Sequence, residues 1–174
     1  MLFLYILAII IAIVVILALA APKTFAIDRS IVINKPRKEV FTYLISVKNQ
    51  DHWSPWKKKD PDMKQEYEGE DGTVGFIARW EGNKDVGMGE QEIIKITAYE
   101  RIDTQLRFFK PWKSESDAFL TTEDVGTRET KVTWGFSGKN KFPFSIFFLF
   151  FNMDKTVGKD FEEGLTSLKA VLEQ

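Results

Sequence analysis

The first residues of the chain, Met1 to Ala21, carry no charged side chain, and Tyr5 is the only one with a polar edge. About 20 apolar residues in a helix cross the hydrocarbon core of a bilayer, and a helix that is apolar on all sides belongs in lipid or in a large protein interior. The sequence therefore predicts that residues 1–22 form a single-pass transmembrane anchor. Residues 23–174 are predicted to form one domain beside the membrane.

A cleaved secretory signal is the alternative interpretation of this segment, because Ala18-Leu19-Ala20 has the small-x-small pattern that a signal peptidase accepts. However, no Lys or Arg precedes the apolar run, and the run is longer than the ~7–15 residues of a signal core. An anchor is therefore favoured. The positive-inside rule favours a cytoplasmic domain, because the basic residues follow the anchor at Lys23, Arg29, Lys35, Arg37 and Lys38.

The composition of the chain narrows the class of function. Lys and Arg number 24 and Asp and Glu 25, so no general basic field would recruit nucleic acid. Cysteine is absent, which excludes disulfides, thiolate nucleophiles and zinc-thiolate sites. The 15 Phe, 5 Trp and 4 Tyr residues predict a large apolar interior, or an interior that contains a cavity.

The part that follows the anchor predicts a strand, short helical pieces and then a series of strands. Phe25 to Ile33 is rich in β-branched residues, and Pro36 begins a short helix with Val40, Phe41 and Leu44 on one side. Residues 49–56 form a broken helical turn, and residues 57–62 a solvated loop. Turn residues separate six further predicted strands, at 64–68, 74–81, 88–99, 101–109, 115–123 and 130–137.

The alternation along these strands predicts an antiparallel sheet with one apolar face. Trp134 lies on the same face of its strand as Val132 and Phe136, whereas Lys131 and Thr133 lie on the other. A long C-terminal helix follows, and its apolar stripe consists of Val157, Phe161, Leu165, Leu168 and Leu172. We expect this stripe to cover the sheet, with Gly158 and Gly164 permitting close packing or leaving room for a ligand.

Five short motifs follow one another along the chain: Arg29 to Asn34 with Pro36, Trp53-Ser54-Pro55-Trp56, Gly87 to Glu90, Thr130 to Trp134, and Asp160 to Leu165. Their order and spacing from Ile27 to the C-terminus resemble the SRPBCC superfamily, which includes birch-pollen allergens, START lipid-transfer domains and, nearest to this chain, the polyketide cyclase/dehydrase group. The resemblance implies an α+β helix-grip fold, in which a curved antiparallel sheet of about seven strands wraps around a long C-terminal helix. It also implies an apolar pocket, which relatives use for lipids, sterols, aromatic polyketides or plant hormones.

The sequence predicts no catalytic set, no metal site and no cofactor. His52 is the only histidine, and its polar turn favours a capping role over that of a general base. Glu90 and Glu92 could reach the mouth of a pocket, but a solvated strand end is favoured because an unpaired buried carboxylate is costly. The chain contains no P-loop, dinucleotide fingerprint, nucleophile elbow or HExxH helix.

Aromatic residues are the better candidates for a binding site. For any single aromatic residue, a place in the ordinary hydrophobic core is the more common role. Flat rings on a concave sheet also suit a pocket for an apolar or aromatic ligand. The cavity candidates are Trp53, Trp56, Phe76, Trp80, Phe108, Phe119, Trp134, Phe136 and Phe161.

A second apolar feature precedes the long helix, where residues 142–151 hold six phenylalanines and no charge. This phenylalanine-rich segment is too short to span a bilayer. It is either buried under a loop or rests in the headgroup region of the membrane, in which case Phe147, Phe148, Phe150 and Phe151 are the predicted contacts.

The function predicted from the sequence is that of a membrane-anchored protein that binds a small hydrophobic ligand, a lipid or an aromatic compound, without turnover. Its expected partners are that ligand and membrane lipid, and no nucleic acid. The alternatives are an enzyme of the cyclase or dehydrase type acting on a similar ligand, and a co-chaperone-like module that binds a polypeptide.

Overall fold

A computed structural model describes all residues from Met1 to Gln174. The first helix, α1 (Leu2–Ala20), has 19 residues and a mean hydropathy of 3.4, and none of it is buried against the domain. By length and composition this helix can cross a membrane. A signal sequence passes the same test, so the geometry leaves the choice between them to experiment.

Seven antiparallel strands form one sheet in the order β1-β7-β6-β5-β4-β3-β2. The predicted α+β architecture is confirmed. The strands are β1 (Thr24–Ile33), β2 (Lys64–Glu68), β3 (Ile77–Glu81), β4 (Met88–Thr97), β5 (Arg101–Lys110), β6 (Ser114–Gly126) and β7 (Glu129–Lys139). The helices of the domain are α2 (Arg37–Leu44), α3 (Pro55–Lys59) and α4 (Met153–Leu172), with 3₁₀ segments at Val47–His52 and Phe144–Leu149.

Three local predictions were wrong. Pro36 is not the first residue of α2 but its N-cap. Its ψ of 142° is extended, so the helix begins one residue later, at Arg37. Lys57 to Lys59 belong to α3 and not to a loop, because Pro55 occupies the first helical position and begins a short turn. Strand β3 begins at Ile77, since Gly75 has a φ of 90° that ends regular extended structure before it.

The stripe of α4 packs on the inner face of the sheet, as expected. Phe161, Leu165 and Leu168 are buried in the main core with Val132 and Trp134 of β7. Gly164 allows the close approach, because a Cβ there would lie 2.8 Å from the Trp134 ring. The middle of β7 and α4 are therefore in direct contact.

Gly158 has a different role, which is to admit an arginine. Arg29 of β1 inserts beside it, with Nε 2.7 Å from Glu162 and Nη1 3.0 Å from Asp154, and a Cβ on Gly158 would overlap the guanidinium. The hydrogen bonds from Arg29 hold the pKa of Asp154 below its usual range. The glycine thus makes a notch on α4 between two carboxylates one turn away on either side.

We expect Gly158→Ala to destabilise the domain. In an unobstructed helix interior this change stabilises by ~1 kcal/mol, but here the new methyl group displaces Arg29 from both carboxylates, at a cost of ~1–3 kcal/mol typical of overpacking. Chemical unfolding of the full chain in detergent measures the difference. Lys159→Ala, at the adjacent exposed position, is the control and should be close to neutral. A Gly158→Ala protein that is more stable than the wild type would contradict the notch.

Candidate functional site

The centre of the groove between sheet and α4 is filled by aromatic rings. Trp134 stacks on Phe161 with centroids 4.2 Å apart and planes 10° from parallel, and Trp53 and Trp56 meet Trp134 edge-on at 4.9 and 5.4 Å. The free volume left beside Trp134 is about 10 Å³, which is near the minimum for one water molecule. Four of the nine cavity candidates therefore pack on one another.

One polar atom in this central cluster has no partner. Trp53 is 1% exposed, and its indole Nε1 makes no hydrogen bond within the protein. A buried donor left unpaired costs about 1–3 kcal/mol unless a water molecule or another acceptor reaches it.

Phe119 does not face the groove, so its assignment to the cavity was wrong. It pairs across the strands with Asp103 and Gly135 on the outer face of the sheet, and the Arg101 guanidinium lies 4.1 Å from the centre of its ring. Its neighbours Ala118 and Leu120 point inward and are buried. Alternation along β6 assigns Phe119 to the outer face, and its aromatic character misled the prediction.

The remaining candidates lie on either side of the central cluster. Phe76 is fully buried and stacks against Tyr67 at 6.0 Å, on the side away from the anchor. Trp80, Phe108 and Phe136 are half-buried toward the ends of β3, β5 and β7 that lie nearest the anchor. Trp80 and Phe108 meet edge-on at 5.8 Å, and Gly89 between them makes room for the Trp80 ring.

An open cavity of about 350 Å³ lies at this anchor end of the groove. It is bounded by the chain that leaves α1, by the end of β7 and by the phenylalanine-rich segment as it enters α4. The lining consists of Pro22, Thr24, Phe25, Asn140, Phe148, Leu149, Phe150, Phe151, Asn152 and Met153. No lining side chain is titratable in the neutral pH range, and six of the ten residues are hydrophobic.

None of the nine cavity candidates lines this cavity, and Phe25 is the aromatic lining residue that the sequence interpretation missed. Its ring lies 4.9 Å from that of Phe136, and Gly138 opposite it provides the space that the ring needs. A usable signal was present, because Phe25 has the same strand parity as Ile27, Ile31 and Ile33 and so belongs to the inner face.

Helix α1 joins the domain beside this cavity. Asn140 holds the exit in place, since its backbone N–H donates to the Lys23 carbonyl at 2.9 Å and its side chain donates to the Pro22 carbonyl at 3.1 Å. Lys23 Nζ donates in turn to the Ala18 carbonyl. Helix α1 also contacts the 3₁₀ segment Phe144–Leu149. Anchor, cavity and phenylalanine-rich segment therefore share one end of the molecule.

The four predicted membrane contacts divide into two kinds. Phe147 and Phe150 are 56% and 80% exposed, whereas Phe148 is half-buried and Phe151 is 37% exposed. Phe148, Phe150 and Phe151 line the cavity. The segment thus forms one wall of the cavity and presents other rings to the surroundings.

The polar candidates lie away from the cavity. His52 is exposed, and its Nδ1 lies 3.0 Å from the Tyr43 hydroxyl, which fits the capping role. Glu90 lies between Arg79 and Arg107 on the outer face, and Glu92 pairs with Arg107 at 2.5 Å. The hydrogen bonds to Glu92 and Glu90 raise the pKa of Arg107. A role for these carboxylates at the cavity mouth is therefore contradicted.

An irregularity in strand β4 explains why Glu90 and Glu92 were expected to face the cavity. A β-bulge between Ile93 and Lys95 adds one residue to the strand, so Ile93 and Ile96 both face the core although they differ in parity. Glu90 and Glu92 precede the bulge and keep the outward parity.

The fold is shared with solved structures of low sequence identity. Norcoclaurine synthase from Thalictrum flavum, solved with dopamine and hydroxybenzaldehyde, is 13% identical over 87% of this chain and 88% of its own, with a TM-score of 0.63. The Aha1 dimer from Colwellia psychrerythraea is 16% identical over 86% of this chain and 96% of its own, with a TM-score of 0.59. Protein CV1439 from Chromobacterium violaceum is 13% identical over 88% and 99%, also with a TM-score of 0.59.

These similarities establish the helix-grip fold, which the sequence motifs indicated. No family model and no curated protein matches the chain. The neighbours include an enzyme and a dimeric protein, so the fold alone assigns no activity.

Trp134→Ala tests the filled centre of the groove. We expect the free energy of unfolding to fall by ~3–5 kcal/mol, because a large ring in contact with Trp53, Trp56 and Phe161 is lost and the site cannot collapse fully. Denaturant unfolding of the full chain measures this change. Trp112→Ala removes the same side chain from an exposed position and should change stability by less than ~0.5 kcal/mol. Equal effects of the two substitutions would show that Trp134 is not part of a packed centre.

Proposed function

We propose that this protein is a membrane-anchored binding protein for a small hydrophobic ligand, which it holds at the anchor end of the groove. The observation that carries the proposal is the position of the 350 Å³ cavity, between the chain that leaves α1 and the phenylalanine-rich segment. Its volume lies within the ~300–1,000 Å³ range of small-molecule sites. A ligand in this position is a lipid-like or aromatic molecule of modest size.

The chemistry of the lining supports binding rather than turnover. Six of the ten lining residues are hydrophobic, and Thr24, Asn140 and Asn152 are the uncharged polar residues. General acid–base catalysis needs a group that can exchange a proton near neutral pH, positioned on the substrate. The polar residues present suit the recognition of one hydroxyl or carbonyl group on an otherwise apolar ligand.

The central aromatic cluster supports this location for the site. Trp53, Trp56, Trp134 and Phe161 close the middle of the groove, so a ligand at the anchor end rests against Phe25 and Phe136 instead of running through the grip. The candidates Trp80 and Phe108 lie at the same end of the sheet and extend the apolar surface available there.

Leu149→Trp tests the cavity by filling it with an apolar side chain. We expect the affinity for an apolar fluorophore such as an anilinonaphthalene sulfonate to fall at least tenfold, because the added ring occupies volume that the probe needs. Fluorescence titration of the full chain in detergent measures the affinity. The probe concentration is varied above and below the level at which the probe partitions into detergent micelles. Ile94→Trp, at an exposed position on β4 far from the cavity, is the control. Unchanged binding by Leu149→Trp would contradict this site.

The anchor is tested separately. We expect full-length protein to remain in the membrane fraction after alkaline carbonate extraction and to retain its N-terminus, because α1 has the length and hydropathy of a spanning helix. Sedimentation and N-terminal mass spectrometry measure both properties. Residues 23–174 expressed alone should be recovered in the soluble fraction. A mature chain that begins near Ala21 and is soluble would identify the segment as a cleaved signal.

A further inference from the structure

The anchor end of the domain exposes large aromatic rings, of which Phe150 also lines the cavity. Trp112, in the turn between β5 and β6, stacks on Phe144 with centroids 5.8 Å apart. Phe142, Phe147 and Phe150 extend this surface, and all five residues are between 54% and 80% exposed. We name these five residues the aromatic patch. Contiguous exposed apolar surface of this kind marks an interaction site in a soluble domain.

Lysines surround the aromatic patch. Six of them lie in the segments that meet at this end, and none forms an ion pair with a carboxylate: Lys23, Lys110, Lys113, Lys139, Lys141 and Lys155. In the same segments Asp154 is bound to Arg29, which leaves Glu115 as the free carboxylate. The chain as a whole has a net charge of −1, so this basic end is a local concentration of charge.

Five of the twelve lysines elsewhere in the domain are paired with carboxylates, whereas none of the six at the anchor end is. Lys35, Lys58, Lys59, Lys131 and Lys169 each lie within 4 Å of a carboxylate. Their charges are partly balanced by neighbours on the protein surface. The charges beside the aromatic patch have no such partner, and their field extends outward from the anchor end.

We propose that this end of the domain docks on a bilayer surface through anionic lipid headgroups, with the aromatic patch in the interface and the six lysines on lipid phosphates. The proposal rests on the membrane anchor of the proposed function. Asn140 fixes Pro22 and Lys23 beside β7, so a spanning α1 places the bilayer surface next to the patch. Lysines gain affinity for anionic membranes and aromatic rings favour the headgroup level, so a bilayer fits both features at once.

Because the chain contains no cysteine, a single introduced cysteine can be labelled specifically in the full chain. Phe150→Cys carries a nitroxide label at the most exposed ring of the patch. The labelled protein is placed in nanodiscs of phosphatidylcholine alone, or of phosphatidylcholine mixed with phosphatidylglycerol. Power saturation with oxygen and with a water-soluble nickel chelate reports whether the label lies in lipid or in water. We expect a lipid environment in the anionic discs and a water environment in the neutral discs and at high salt.

Charge substitutions identify the recognising residues. Lys113→Gln with Lys141→Gln should lower the ratio of docked to undocked label by up to roughly 25-fold, at about fivefold for each lysine. Lys38→Gln with Lys95→Gln removes the same charge from exposed positions away from the anchor end and should have no effect. A label equally buried in neutral and anionic discs would overturn headgroup recognition, and a label in water in both would show that the patch meets a protein partner or none. A chain that fails to co-purify with the discs would contradict the anchor and this proposal together, whereas the Leu149→Trp titration tests the ligand site independently.

Discussion

The stacking of Trp134 on Phe161 is the contact on which the arrangement of this domain depends. It joins the middle of β7 to the middle of α4 at a centroid distance of 4.2 Å, and Gly164 makes the approach possible. Two further indoles close around it. Because the grip is filled at its centre, the free space of the fold is displaced to the end where β1 begins and α4 starts. The location of the cavity is thus a consequence of how the core is packed.

Arg29 complements this apolar contact at the same helix. It lies on the inner face of β1 directly opposite Trp134, where an unpaired charge would be costly. Two carboxylates on α4 and the notch at Gly158 satisfy it, with one pairing on each side of the glycine. The pairing fixes the register of α4 against the edge strand and therefore the height at which its N-terminus meets the phenylalanine-rich segment. The ion pair between Arg29 and Asp154 thus lies next to the cavity wall, because Asp154 directly follows the lining residue Met153.

The sequence predicted the architecture well because alternation and helical periodicity report directly which face of an element is buried. Val132, Trp134 and Phe136 all lie on the inner face of β7, and Phe161, Leu165 and Leu168 all face it from α4. The prediction failed at individual residues whose position depends on more than the regular alternation. The bulge after Ile93 could not be seen in the alternation, and Phe119 was assigned by its size although its parity placed it outside. Phe25 was missed although the strand that contains it was predicted, because the two faces of that strand were not assigned.

The cavity itself could not be predicted, because it depends on three segments that are distant in the sequence. Residues 22–25, Asn140 and residues 148–153 meet only through the pairing of β1 with β7. That pairing also determines where α1 enters the domain, so the opening of the cavity and α1 are neighbours for the same reason. A hydrophobic ligand dissolves in lipid far better than in water. If α1 spans a bilayer, as we propose, the cavity meets such a ligand at the concentration it has in the membrane, and a modest intrinsic affinity is then enough to keep the site occupied.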